Sequence, residues 1–179
     1  MLIPFGPKVV ITRGDANKAP LFIKALLPQV RRRYVLALID PPHACFHWQA
    51  FEALSFDEPA FDALVLFPDA IDFQRSIFHA IRHPDSKVAA RFDGFFGTIG
   101  WREVVLANPK HAESDLQRLY EARMEKALGL RLGHVKGVGP GRRPLYHLVF
   151  GSKSKFGVDL WNSVNRRTAA EQDELFLGS

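Results

Sequence analysis

Two apolar runs, YVLALI (34–39) and DALVLF (62–67), show no polar alternation along their length, and each stops at a breaker: Asp40-Pro41-Pro42 after the first, Pro68 after the second. A strand with one wet face alternates polar and apolar residues. A run that stays apolar at successive positions must be covered on both faces, as in the centre of a parallel sheet. Helical spacings follow each run: Trp48, Phe51 and Leu54 after the first, and Phe73, Ile77 and Ile81, ending before Pro84, after the second. KVVIT (8–12) is a shorter β-branched run that ends at Arg13-Gly14. Asn17 is placed to cap a helix over 18–27, with Pro20 tolerated in its first turn and Pro28 closing it. Strand and helix thus alternate three times over short connections, which is the rhythm of right-handed βαβ units.

The second half reads differently. Leu116, Leu119, Tyr120, Met124, Ala127 and Leu128 form one helical stripe closed by Gly129. GHVKGV and LYHLVF flank GPGRRP, the pattern of an antiparallel hairpin at a sheet edge, and Leu160, Trp161 and Val164 place a last helix after it. The expected fold is α/β: a mostly parallel sheet with an antiparallel C-terminal edge hairpin and helices on both faces. One domain is expected over 1–165, with 166–179 as a flexible tail.

A chain of 179 residues can bury a full core, and no apolar run approaches the roughly 20 residues that span a bilayer. The opening MLIPFGPKVV lacks the charged and apolar regions of a signal peptide. Cys45 is the only cysteine, so neither an internal disulfide nor a CxxC knuckle can form, and a cytoplasmic location is expected. The formal charge of +5 is uneven: between Arg131 and Arg167 eight basic residues face Asp159 alone. Lys136, Arg142, Arg143, Lys153 and Lys155 are therefore candidates for phosphate contacts to nucleic acid, each releasing a counterion; a solvated basic surface is the alternative.

Ligands of open parallel sheets bind beyond the carboxyl ends of the strands. Asp15 in RGDAN and Asp40 in LID occupy such ends and should meet at one rim, where a carboxylate can accept hydrogen bonds from the amino or hydroxyl groups of a nucleoside. Pro41 and Pro42 stiffen that rim and remove two N–H donors. The same residues also suit a strand stop followed by a helix cap. HACFH (43–47) and HAIRH (79–83) carry the i,i+4 histidine spacing of a metal helix, but neither holds the glutamate or a third ligand, so no metal is expected. GVGPG (137–141) precedes a strand pattern rather than a helix and reads as a turn, not as a phosphate loop.

In their order, RGDAN, LALIDPPHACFHWQAFEAL, FDALVLFPDAI, FFGTIGWREV and LYHLVFGSKSKFGVDLW resemble the three-Cys-motif partner protein family, across most of residues 8–165. That family is similar to class I S-adenosylmethionine-dependent methyltransferases, so the resemblance implies a partial Rossmann-like methyltransferase fold. It implies Asp15, Ala16 and Asn17 beside the adenosine of S-adenosylmethionine, and Asp40, Pro41 and Pro42 at the methyl-transfer point. His43 stands where amino-group methyltransferases carry an aromatic residue. Phe95, Phe96, Gly97 and Trp101 match a further motif, of packing or substrate contact. Relative to the family pattern, the chain is expected to begin at about the third strand, without the glycine-rich cofactor turn. The implied function is methyl transfer, with nucleic acid as a candidate acceptor; the alternative is a non-catalytic module that binds a protein partner or nucleic acid. A sheet with an open edge also implies a homodimer or a separate chain completing it.

Overall fold

The computed structural model describes residues 13–26, 34–55, 60–68, 73–138 and 146–177. Among them are five strands: β1 (Val35–Ile39), β2 (Phe61–Phe67), β3 (Arg131–Leu132), β4 (Lys136–Val138) and β5 (Tyr146–Ser152). Seven α-helices accompany them: α1 (Ala19–Leu26), α2 (Trp48–Ser55), α3 (Gln74–Arg82), α4 (Lys87–Phe96), α5 (Trp101–Ala107), α6 (Ala112–Leu128) and α7 (Lys155–Leu177). No helix of the described residues is long and apolar enough to cross a membrane.

The apolar runs YVLALI and DALVLF are neighbours. β1 and β2 pair in parallel, Val35 with Phe61 through Ile39 with Val65. The rest of the sheet corrects the expectation of mostly parallel pairing. β5 lies between β2 and the short strands β3 and β4, and all three of those pairings are antiparallel. The hairpin expected at the sheet edge therefore sends its long strand into the sheet interior, leaving β4 beside β3 on the outer side. The cause is length: seven residues of β5 give β2 six ladder partners, which β3 with two residues and β4 with three cannot offer. The strand expected at KVVIT lies outside the described residues.

Register divides the sheet into two faces. On the first, Val35, Ala37 and Ile39 align with Phe61, Ala63 and Val65, and these with Gly151 and Val149. This face carries the core. Trp48 and Phe51 of α2, Phe95 and Phe96 of α4, and Tyr120 of α6 are all essentially without solvent contact. Tyr120 is the hub, stacked on Phe95 at 4.9 Å between centroids and edge-on to Trp48 at 5.4 Å. Burying each such ring contributes roughly 1.5–3 kcal/mol, so this cluster supplies much of what offsets chain entropy. The second face holds Leu36 and Leu38 of β1, Asp62 and Leu64 of β2, and Phe150 and Ser152 of β5. Only α7 covers it among the described residues: Trp161 stacks on Phe150 at 4.9 Å. Helices thus lie on both faces.

Two helix boundaries differ from expectation. The predicted flexible tail begins inside α7, which runs to Leu177: TAAEQDEL contains no glycine or proline and is rich in good helix formers. Asn17 does not cap α1. Asp15 instead caps a single 3₁₀ turn at Ala16–Lys18 that leads into α1, its Oδ1 accepting the Asn17 N–H at 2.9 Å.

On the second face Asp62 is buried, and its Oδ2 accepts the Tyr34 hydroxyl while Oδ1 has no partner. Desolvation, then the bond to Asp62 and its charge, push the Tyr34 phenol up to about 12. Burial likewise pushes Tyr120 far above the ordinary tyrosine range. A folded-state value raised above the unfolded value of about 10 gives stability that is complete below pH 10 and lost as pH rises through the folded value. In an alkaline absorbance titration, Tyr34 should therefore ionise near pH 12 and Tyr120 only as the protein unfolds. Tyr34→Phe should delete the step near pH 12. Ionisation of both near pH 10 in the folded protein would contradict this placement.

Candidate functional site

β1 delivers its last residue, Ile39, into the core and then releases Asp40, which is exposed, into the rigid Pro41-Pro42 corner. The chain turns through His43–Phe46, with Ala44 and Phe46 buried, before α2 begins at Trp48. On the other side the 3₁₀ turn capped by Asp15 leads into α1, which packs on α2. Between them lies a cavity of about 650 Å³, walled by Asp15, Ala16, Asn17, Asp40, Pro41 and Pro42, with Ile23, Leu36, Leu38 and Phe46 supplying an apolar lining. All six residues assigned to the site from the sequence line this one space.

Asn17 has a role that residue type and spacing concealed. Its Nδ2 donates to the Cys45 carbonyl at 3.1 Å, and its Oδ1 accepts the His47 N–H at 2.6 Å. It ties the 3₁₀ turn to the loop after Asp40 and so holds the two acid-bearing segments together. Asp15 spends one carboxylate oxygen on its cap, and the hydrogen-bonding capacity of the other remains for a ligand. An apolar hollow with two carboxylates on its rim suits a flat, partly apolar molecule with amino or hydroxyl groups at its edge.

The remaining candidates do not assemble around this cavity. Lys153 donates from Nζ to the Ser55 carbonyl at 2.6 Å, so its ammonium fastens the end of β5 to the end of α2. This bond takes one of the three N–H donors of the ammonium. Lys155 is exposed at the start of α7, Lys136 belongs to β4, and Arg142 and Arg143 lie outside the described residues. His79 and His83 have rings 4.6 Å apart at the end of α3, while His43 and His47 flank the loop before α2. No group of three or more metal-ligating side chains occurs among the described residues. Gly137 and Val138 of GVGPG sit in β4; the rest of that turn lies outside the described residues.

The Phe95–Trp101 motif resolves into packing. Phe95, Phe96 and Trp101 are fully buried, and the Trp101 indole N–H donates to Asp93 at 2.8 Å, which also pairs with Arg102. Gly97 ends α4 at φ +62°, where an added Cβ would meet Trp48 at 2.6 Å. Sequence reasoning missed α4, although Phe92, Phe95 and Phe96 carry helical spacing and Ser86 caps it by accepting the Ala89 N–H. No protein-family model, no curated protein and no solved structure matches this chain.

Proposed function

We propose that the chain is a methyltransferase-like protein of the three-Cys-motif partner type, whose cavity at the end of β1 takes the nucleoside part of S-adenosylmethionine. The observation that carries the reading is the presence of Asp15 and Asp40 on the rim of a single cavity at the carboxyl end of a parallel strand. The cavity fits a nucleoside in size and chemistry: the free oxygen of Asp15 can accept from a ribose or base, and Ile23 and Phe46 offer an apolar wall. Nothing equivalent to a glycine-rich turn lines it, among the described residues, for the amino-acid part. When bound, the cofactor supplies a methyl group. Asp40 then accepts a hydrogen bond from the amine or hydroxyl to be methylated and orients it, and Pro41-Pro42 keeps that carboxylate fixed. The basic C-terminal third favours a nucleic-acid acceptor, with Lys155 its exposed representative. Among the described residues β1 is the end of the sheet, and a partly Rossmann-like sheet ending there also fits a second copy or a separate completing chain; the lone Cys45 suits a reducing cytoplasm.

Calorimetry with S-adenosylmethionine should give one stoichiometric site. Asp15→Ala should weaken it about tenfold to a hundredfold, the cost of a hydrogen bond to a charged group. Asp40→Asn should leave cofactor affinity intact while abolishing transfer. No heat at millimolar ligand removes the reading. One observation favours the non-catalytic alternative: both polar groups of the Asn17 amide are already committed within the fold. In that case the cavity binds a nucleoside-bearing ligand without transfer.

A further inference from the structure

The second face of the sheet is covered unevenly. α7 lies along β5: Gly157 sits so close that a Cβ there would meet Ser152 Oγ at 2.5 Å and Asp62 Oδ2 at 3.1 Å, and Trp161 covers Phe150. Asn162 turns outward, its Oδ1 accepting the His134 N–H from the segment between β3 and β4. The opposite flank of α7 therefore looks over β2 and β1. Phe156, Leu160 and Val164 recur there every four residues, and they are 74%, 54% and 51% exposed. Beneath that flank no described element covers the β1 side of the sheet: Tyr34, Leu36 and Leu38 are 60%, 61% and 66% exposed. Six large apolar side chains with more than half their surface in water form one patch, a ridge beside a trough.

We infer that this face is the interface of a homodimer, in which α7 of each copy lies in the β1–β2 trough of the other and so covers, from the partner's side, the Leu36 and Leu38 wall of the cavity at the end of β1. The occupant is set by shape. A trough two strands wide spans about 10 Å at a strand spacing of about 4.8 Å, and a helix with its side chains is about 10–12 Å across. A twofold axis running along the strands turns the face over and exchanges its sides, so each ridge meets the other copy's trough. An isologous contact requires such a self-complementary surface. Two aromatic and four aliphatic side chains per copy bury on the order of several hundred Å², approaching the roughly 800 Å² that a stable interface takes from each partner.

Charge agrees with that geometry. Gly157 lies against Ser152 and Trp161, one turn on, against Phe150, so α7 runs antiparallel to β5 and follows the direction of β1 and β2. Asp40 lies four residues beyond Leu36, which is level with Asp62, so it stands about 13 Å further along the sheet. At about 1.5 Å per helical residue, nine residues beyond Gly157 reach that level, at Arg166. The proposed axis preserves level along the strands, so it sets the exposed Arg166 of one copy toward the Asp40 rim of the other.

Sedimentation equilibrium on the intact chain tests the proposal. The wild type should be dimeric at micromolar concentration. Leu160→Glu and Leu38→Glu should each weaken the dimer on the order of a hundredfold, with unchanged far-ultraviolet circular dichroism, because both residues are already exposed. Arg166→Glu should weaken it as well, and adding Asp40→Lys should restore association. A wild-type monomer at high concentration overturns the proposal and assigns the trough to a different polypeptide. A dimer that survives both leucine substitutions overturns it too and moves the contact elsewhere, the β1 edge included.

Discussion

Gly97→Ala is expected to cost about 2–5 kcal/mol, enough to leave a protein of ordinary stability barely folded at room temperature. Two effects add. The residue sits at φ +62°, in the left-handed region where any L side chain costs roughly 1–2 kcal/mol. Its Cβ would also stand 2.6 Å from both Cβ and Cγ of Trp48, and Trp48 has nowhere to go, being packed edge-on to Phe51 and Tyr120 beneath the Arg123 guanidinium. Overpacking of that kind costs about 1–3 kcal/mol. Two other glycines separate the terms. Gly129 ends α6 at φ +65° with nothing near its Cβ, so Gly129→Ala should show only the backbone part, about 1–2 kcal/mol. Gly100 has a negative φ of −62° and its nearest neighbour at 3.4 Å, so Gly100→Ala should be close to neutral. Urea unfolding should therefore rank the losses Gly97 first, Gly129 second, Gly100 last. In a Trp48→Ala background, itself about 3–5 kcal/mol destabilised, the Gly97→Ala loss should fall only part of the way to the Gly129 value, because alanine keeps the Cβ that would stand 2.6 Å from the new one. Equal losses at Gly97 and Gly129 would mean that the tryptophan contact does not constrain the site.

That contact also shows where sequence reading reaches and where it ends. YVLALI and DALVLF announced adjacent parallel strands, and the register bears out the pairing; the coverage expected on both faces holds for β2 and not for β1, whose Leu36 and Leu38 are more than half exposed. Gly129 closed its helix where the stripe ended, since a left-handed residue is a local matter. Asp15, Asp40 and the two prolines, expected on one rim, line one cavity, while the strand expected to carry Asp15 lies outside the described residues. Pairing order was less accessible. LYHLVF can serve as an edge or an interior strand, and only the competition among β3, β4 and β5 for the side of β2 decides it. The function of single side chains was least accessible. Gly97, Gly157 and Gly133 each stand against a bulky or polar neighbour distant in sequence, Trp48, Asp62 and Trp161 respectively, and nothing local marks a glycine as kept for close approach. Lys153 looked like surface charge until its ammonium met the Ser55 carbonyl, 98 residues away.

Asn17 combines both kinds of information, and its replacement should have the largest effect on the site itself. Asn17→Ala removes the donor to the Cys45 carbonyl and the acceptor for the His47 N–H, at about 1–2 kcal/mol of stability for the pair, because these groups are only partly buried and water can replace the lost partner. Ligand affinity should fall further, by about tenfold to a hundredfold, since the loop after Asp40 must then be ordered at the expense of binding. Asn17→Asp discriminates the mechanism. It keeps an oxygen for the His47 N–H but turns a second, charged oxygen toward the Cys45 carbonyl, where two acceptors repel. It should therefore bind ligand no better than Asn17→Ala, although it would add a carboxylate to a cavity that already uses two. Asp15→Asn is the complementary control: its amide oxygen preserves the cap, so stability should hold while the charge-assisted contact to ligand is lost. Calorimetric affinities alongside unfolding midpoints distinguish these cases. If Asn17→Asp binds a nucleoside ligand as well as the wild type, or better, Asn17 acts as a contact rather than as the clamp that brings Asp15 and Asp40 together.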